Sequence, residues 1–170
     1  MPEQPTKPEA QQVPRRSFSE FQEYRRIPSL LMLIRELKLF LRDCSSVLDI
    51  GCGGGLDSMM AAIMTGPTGR VVGVDLSPEM VARARHNLES AALENVMFHD
   101  SVSAEALPFP DSSFDAVVSN GVFNLVPDKI KAVSEVFRVL KPDGRLMMAD
   151  QILVGELSQD LRSGIDHWAG

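Results

Sequence analysis

The chain has 170 residues, 44% of them apolar, and a formal net charge of −6. That length suits one domain with a substantial core and is short for two, and the acidic balance argues against a nucleic acid or an anionic membrane as the main partner. No stretch reaches the roughly 18 apolar residues of a membrane helix, the polar, Pro-rich start is no secretory signal, and the only cysteines, Cys44 and Cys52, make neither a disulfide framework nor a zinc site, so a cytoplasmic protein without a metal site is expected.

In chain order, residues 1–27 carry Pro2, Pro5, Pro8 and Pro14 among polar residues with no sustained period, which reads as a flexible tail ahead of a domain over 28–170. Pro28 suits the first position of a helix, and Leu30, Leu33, Ile34, Leu37 and Leu41 follow at helical spacing. Ser46–Ile50 is a short apolar strand, Leu56–Met64 a helix, and Arg70–Asp75 a β-branched strand. Ser77-Pro78 opens the next helix with a cap residue and a proline, and Met80, Ala84, Leu88 and Ala91 form its buried stripe. Val96–His99 and Phe114–Ser119 are strands, with a helix over Asp128–Leu140 to follow. Lys141-Pro142-Asp143-Gly144 stops that helix, Arg145–Ala149 is a fifth strand, and Leu157–Trp168 is predicted as a last helix. Strands this apolar, alternating with helices, predict a Rossmann-like doubly wound α/β fold: a mostly parallel sheet with helices on both faces. Right-handed crossovers bring the carboxyl ends of all strands to one edge, where ligands bind.

Four segments meet there: Asp49–Gly55, Asp75–Ser77, Asp100–Ala104 and Ser119–Asn124. The first reads D-x-G-x-G-x-G over Asp49, Gly51, Gly53 and Gly55, with Leu56 where the dinucleotide fingerprint places its third glycine, and no Lys-Ser or Lys-Thr follows to make a phosphate loop. An acid two residues before the turn suits a cationic ligand, and Asp75, closing the second strand, is placed to accept from ribose hydroxyls. A ribose and a cationic end without phosphate describe S-adenosyl-L-methionine.

The segments VLDIGCGGG, VVGVDLSPEMVARAR, AEALPFPDSSFDAVVSN and VFRVLKPDGRLMMAD resemble those of the class I S-adenosylmethionine-dependent methyltransferases, in order and spacing, over about residues 45–150. The resemblance implies transfer of a methyl group to a small-molecule acceptor. It implies that Gly51, Cys52 and Gly53 lie along the methionine portion of the cofactor with Asp49 toward its amino group, and that Asp75 holds the ribose. Leu76 and Met80 would flank the adenine, Ser103 and Ala104 would meet its edge, and Asn120 and Gly121 would line the floor near the methyl group. Ser103 stands where relatives often carry Asp, which leaves two alternatives: Asp100 supplies the missing carboxylate, or adenine recognition rests on backbone alone. The residues themselves announce no general base. Cys52 reads as a small turn residue rather than a nucleophile, His86 as solvated, and Met59, Met60, Met147 and Met148 as core filling.

SNGVFNLVPDK resembles the arsenite methyltransferases and, less closely, the ubiquinone and menaquinone biosynthesis C-methyltransferases, with Gly121 in place of a cysteine. Class I domains usually continue through two further strands, so the expectation is a sheet lacking its last two strands, whose open edge at RLMMA invites a homodimer. Two alternatives stay open: an S-adenosylmethionine-binding protein with an incomplete acceptor pocket, and a nicotinamide-dependent oxidoreductase on a similar fold.

Overall fold

A computed structural model describes residues 37, 38 and 40–150 of the chain. The expected N-terminal tail, the start of the helix after Pro28 and the expected helix at 157–168 lie outside the described residues.

Five strands form one parallel sheet: β1 (Ser46–Ile50), β2 (Arg70–Val74), β3 (Val96–His99), β4 (Phe114–Asn120) and β5 (Leu140–Ala149), in the order β3-β2-β1-β4-β5. The order reverses between β1 and β4, the point at which open α/β sheets leave a crevice. The period of two along each strand sorts the side chains into two cores. On one face Val47, Val71, Phe98, Ala116 and Val118 pack with Ala61 and Ala62 of helix α1 (Leu56–Thr65) and Val81 and Ala84 of helix α2 (Pro78–Glu89). Leu37 and Leu41 join this core, in line with their spacing in the sequence. On the other face Leu48, Ile50, Val72, Val74 and Val117 pack with Ala132, Val136 and Val139 of helix α3 (Lys129–Val139). The sheet is therefore doubly wound as expected.

Local chemistry sets the boundaries. Ser77 caps α2, its hydroxyl accepting from the Met80 amide at 3.2 Å, with Pro78 at the first helical position. Asp128 caps α3 through the Lys131 amide at 3.0 Å. The end of α3 departs from expectation. Leu140 already pairs with Phe114, and the register then jumps to Ala116 opposite Arg145, so Lys141–Gly144 bulges out within β5 instead of preceding it. Asp143, at φ 64°, makes the bend. At the same edge Asp115 accepts from the Ser45 and Ser46 amides at 3.0 and 2.8 Å and from Lys141 Nζ at 2.7 Å, tying β1, β4 and β5 together. Burial opposes ionisation of this carboxyl, but the Lys141 and Ser46 bonds prevail and hold it well below the usual carboxylate range. Met147 packs partly against the core as expected, whereas Met148 is 49% exposed.

Candidate functional site

The carboxyl ends of β1, β2 and β3 carry the glycine turn, Asp75 and the segment from Asp100 onward. The turn begins as the Gly51 and Cys52 amides both donate to the Val74 carbonyl, at 2.8 and 3.0 Å, which draws it over the tip of β2. Gly51, Gly53 and Gly55 all have positive φ, at 71°, 50° and 83°, a region that costs any residue with a Cβ. Their surroundings differ. A Cβ on Gly51 would lie 2.0 Å from Val122 Cγ2, and one on Gly55 would lie 2.8 Å from Phe98 Cζ and 3.0 Å from Ala84 Cβ. These two glycines let the protein pack on itself. A Cβ on Gly53 would meet only Met80 Cε, at 3.4 Å. Of these three positive-φ glycines, Gly53 is the one whose Cβ position the protein does not block.

Asp75 binds turn and loop together. Its Oδ2 accepts from the Gly53 amide and its Oδ1 from the Ser77 amide, both at 2.9 Å. A carboxylate offers about four acceptor positions, so each oxygen keeps capacity for a hydroxyl. Asp49 lies beneath, 2% exposed, with Ser58 Oγ donating to Oδ2 at 2.5 Å. Burial pushes its carboxyl up to about 7 against the lowering effect of Ser58, and the charges of Asp57 and Asp75 add to the rise. Cys52 is also buried, and burial, followed by the charges of Asp49 and Asp75, pushes its thiol up to about 12. The thiolate is therefore suppressed, in keeping with a turn residue.

Around this centre, Leu76 is 68% exposed, and Met80 reaches toward Gly53. Ala104 is buried, and Ser103 Oγ accepts from the Glu105 amide at 3.1 Å. Asp100 is drawn elsewhere, with its Oδ2 taking a bond of 3.0 Å from Arg85, whose guanidinium also donates to the Phe98 carbonyl. Asn120 Nδ2 donates to Asp57 Oδ2 at 3.2 Å, linking the tip of β4 to the first turn of α1. Gly121, φ 73°, donates its amide to the Ala149 carbonyl at 2.8 Å, and a Cβ there would meet nothing within 4 Å. The structure thus brings Asp49, Gly53, Asp75 and Met80 together, sets Asn120 and Gly121 on the neighbouring strand tip, and turns Asp100 toward α2.

Sequence reading missed three connections. Ser58 holds Asp49, Val122 occupies the space over Gly51, and Glu135 with Arg138 clamps the loop before β4. In that clamp Glu135 Oε2 accepts from the Leu107 amide at 2.8 Å, and Arg138 donates to the Leu107 and Phe109 carbonyls and to Asp111. Arg138 and the Leu107 amide hold the Glu135 carboxyl down to about 2. The spacing of Glu135 and Arg138 on a helix signals an ion pair, but nothing in it names the loop they hold.

Residues 41–169 match the model of a methyltransferase domain family. The chain belongs to that family. It is 38% identical over 125 residues to the arsenite methyltransferase of Halobacterium salinarum, an alignment covering 74% of this chain and 32% of that protein. It is 36% identical over 122 residues to the ubiquinone/menaquinone biosynthesis C-methyltransferase UbiE of Pasteurella multocida, covering 68% and 46%. Among solved structures, the YcgJ protein of Bacillus subtilis is 38% identical with a TM-score of 0.59, over 72% of this chain and 50% of that one. A SAM-dependent methyltransferase from Aquifex aeolicus, 23% identical with a TM-score of 0.62, shares the fold over 89% and 87%. The chain thus spans between about a third and a half of the curated relatives it matches. No helix among the described residues is long and apolar enough to cross a membrane.

Proposed function

We propose that this site binds S-adenosylmethionine and transfers its methyl group to a small-molecule acceptor. The observation that carries the reading is the charge around the bare turn: Asp49 is buried beside Gly51–Gly53, and the charges acting on it are the carboxylates of Asp57 and Asp75. A pyrophosphate at that turn would meet like charge. A ligand with an ammonium and a sulfonium would meet opposite charge, which favours S-adenosylmethionine over a nicotinamide dinucleotide. In this reading Gly53 lies against the methionine portion, with Gly51 and Cys52 shaping the turn, and Asp49 faces the amino group. The free acceptor positions of Asp75 take the ribose hydroxyls, Leu76 and Met80 flank the base, and Ser103 and Ala104 meet its edge. Asn120 and Gly121 bound the space beside the methyl group. When bound, S-adenosylmethionine supplies the activated methyl group. The chain supplies alignment and exclusion of water, worth up to roughly 7–11 kcal/mol in favourable systems.

The cysteines bear on the acceptor. Arsenite is a soft centre that calls for thiolates, and this chain has only two cysteines. Cys44 precedes β1 at the opposite edge of the sheet, and the Cys52 thiol is pushed up to about 12. Among the described residues no set of thiolates meets at the carboxyl edge, so the described part of the site favours an oxygen, carbon or thiol acceptor over arsenite. Both cysteines are free, which suits a reducing, cytoplasmic setting.

Titration calorimetry with S-adenosylmethionine, S-adenosylhomocysteine and NAD tests the reading. Heat from the first two and none from NAD is expected; binding of NAD alone would overturn it.

A further inference from the structure

The described residues contain one side chain whose buried polar atoms lack any hydrogen-bond partner. Both carboxylate oxygens of Asp150 are shielded from solvent, and neither is hydrogen bonded. A carboxyl in that state is destabilising unless something pairs with it, and native proteins leave few such groups without a reason. Asp150 directly follows β5, so it stands on the carboxyl edge of the sheet with the glycine turn and Asp75. The residue before it, Ala149, is in register with Asn120 and accepts from the Gly121 amide. The strand order then orders the chemistry. Cofactor contacts fall on β1, β2 and β3, the space beside Gly121 on β4, and Asp150 on β5. With neighbouring strands about 4.8 Å apart, Asp150 sits roughly 10 Å from the tip of β1, far enough for a small acceptor to lie between. A metal is not the natural partner, because no cluster of His, Cys, Asp or Glu side chains able to hold one exists among the described residues.

We propose that Asp150 is a catalytic residue on the acceptor side: its carboxylate accepts the hydrogen of an acidic hydroxyl or thiol on an acceptor lying over Gly121, and takes that proton during methyl transfer. The inference rests on the methyl-transfer reading above. The balance is complete. An electron pair of the acceptor forms the bond to the methyl carbon, the methyl–sulfur bond breaks with its electrons staying on sulfur, and S-adenosylhomocysteine leaves. The acceptor's proton passes to Asp150 and from there to solvent. The orphaned state of the carboxylate is then part of the design, since the acceptor's hydrogen supplies the missing bond.

The test compares the full chain with its Asp150→Asn variant. Three results are expected. The melting temperature at pH 8 rises by about 2–4 °C, because a buried charge without a partner has been removed. Affinity for S-adenosylhomocysteine stays within about twofold. Methyl transfer from radiolabelled S-adenosylmethionine to catechol, hydroquinone and dithiothreitol falls by about 10²–10⁴-fold. A melting temperature that falls or stays level, or transfer kept within a few-fold, would overturn the assignment. So would a wild type that methylates none of the three probes. Failure of the wild type to bind S-adenosylhomocysteine would instead sink the methyl-transfer reading itself.

Discussion

Asp49 makes the sharpest physical prediction, because one buried group links stability and ligand binding to pH. Its carboxyl stands at about 7 in the folded chain against an ordinary 3.8. The folded state therefore holds the proton more tightly than the unfolded state. The associated stability is fully present below about pH 3.8 and is lost as pH rises through about 7. At about 1.4 kcal/mol per pH unit, the gap is worth roughly 4 kcal/mol, of which about 2–3 kcal/mol falls between pH 5 and 8. Asp49→Asn keeps the shape and removes the titration. Urea unfolding of both proteins at pH 5 and pH 8 isolates the term, since other ionisable groups cancel in the comparison. The variant should gain about 2–3 kcal/mol on the wild type over that interval. A difference between the two that stays constant from pH 5 to 8 would refute the argument. In the proposed site the same proton governs binding. About a tenth of the Asp49 population is ionised at pH 6 and nine-tenths at pH 8. Affinity for the ammonium-bearing S-adenosylhomocysteine should therefore rise about tenfold over that range in the wild type and stay flat in the variant, as read by calorimetry.

Three further perturbations probe the frame of the site. Asp75→Ala removes the acceptor for the Gly53 and Ser77 amides and should weaken S-adenosylmethionine binding by about 1–3 kcal/mol; an unchanged dissociation constant would move the ribose elsewhere. Gly51→Ala drives a Cβ to 2.0 Å from Val122 Cγ2 at φ 71° and should cost about 1–3 kcal/mol in urea unfolding. Adding Val122→Ala should restore part of that loss, and no restoration would show that the backbone alone carries the strain. Arg138→Ala frees the carbonyls of Leu107 and Phe109 and leaves Glu135 without its cation. Hydrogen exchange at the Leu107 amide, now bound to Glu135, should accelerate well before the amides of β4 do; uniform acceleration would mean that the clamp supports the whole domain.

Much of the frame was legible in the sequence because local periodicity reports burial. The limits of β1 and β3 match the expected ones residue for residue, and Ser77-Pro78 and Asp128 mark the starts of α2 and α3. The glycine turn was legible as a whole, yet its members do different work. Gly51 yields to Val122 and Gly55 to Phe98 and Ala84, contacts made across the fold that no spacing encodes. The Lys141–Gly144 stretch carries every mark of a stop signal, but the pairing of Leu140 with Phe114 turns it into a bulge within the strand. Asp100 was a reasonable substitute for the carboxylate missing at Ser103, until Arg85 on α2 claims it. Asp150 gives no sign of itself in the chain: an acid after an apolar strand is ordinary, and only the tertiary environment shows that its oxygens have no partner.

These differences follow the division of labour across the sheet. On the proposed reading the ligand contacts of β1 and β2 are made by main chain and by carboxylates held in bonds of 2.5–2.9 Å, and such contacts demand particular residues at particular spacings, glycine where φ is positive and acid where amides converge. That demand is what a motif records. The tips of β4 and β5 are anchored by the Asn120–Asp57 and Gly121–Ala149 bonds, with open space where a Gly121 side chain would stand. In that reading, an acceptor of different shape could be served by other residues on the same anchors, so its identity is left to side chains without a motif. The two relatives named for arsenite and for quinone precursors are similarly identical to this one chain, at 38% and 36%, as expected if the shared signal comes from the cofactor side. On the proposed reading, acceptor specificity in this chain is to be sought at Gly121, which bears no side chain, and at Asp150, whose carboxylate oxygens find no hydrogen-bond partner.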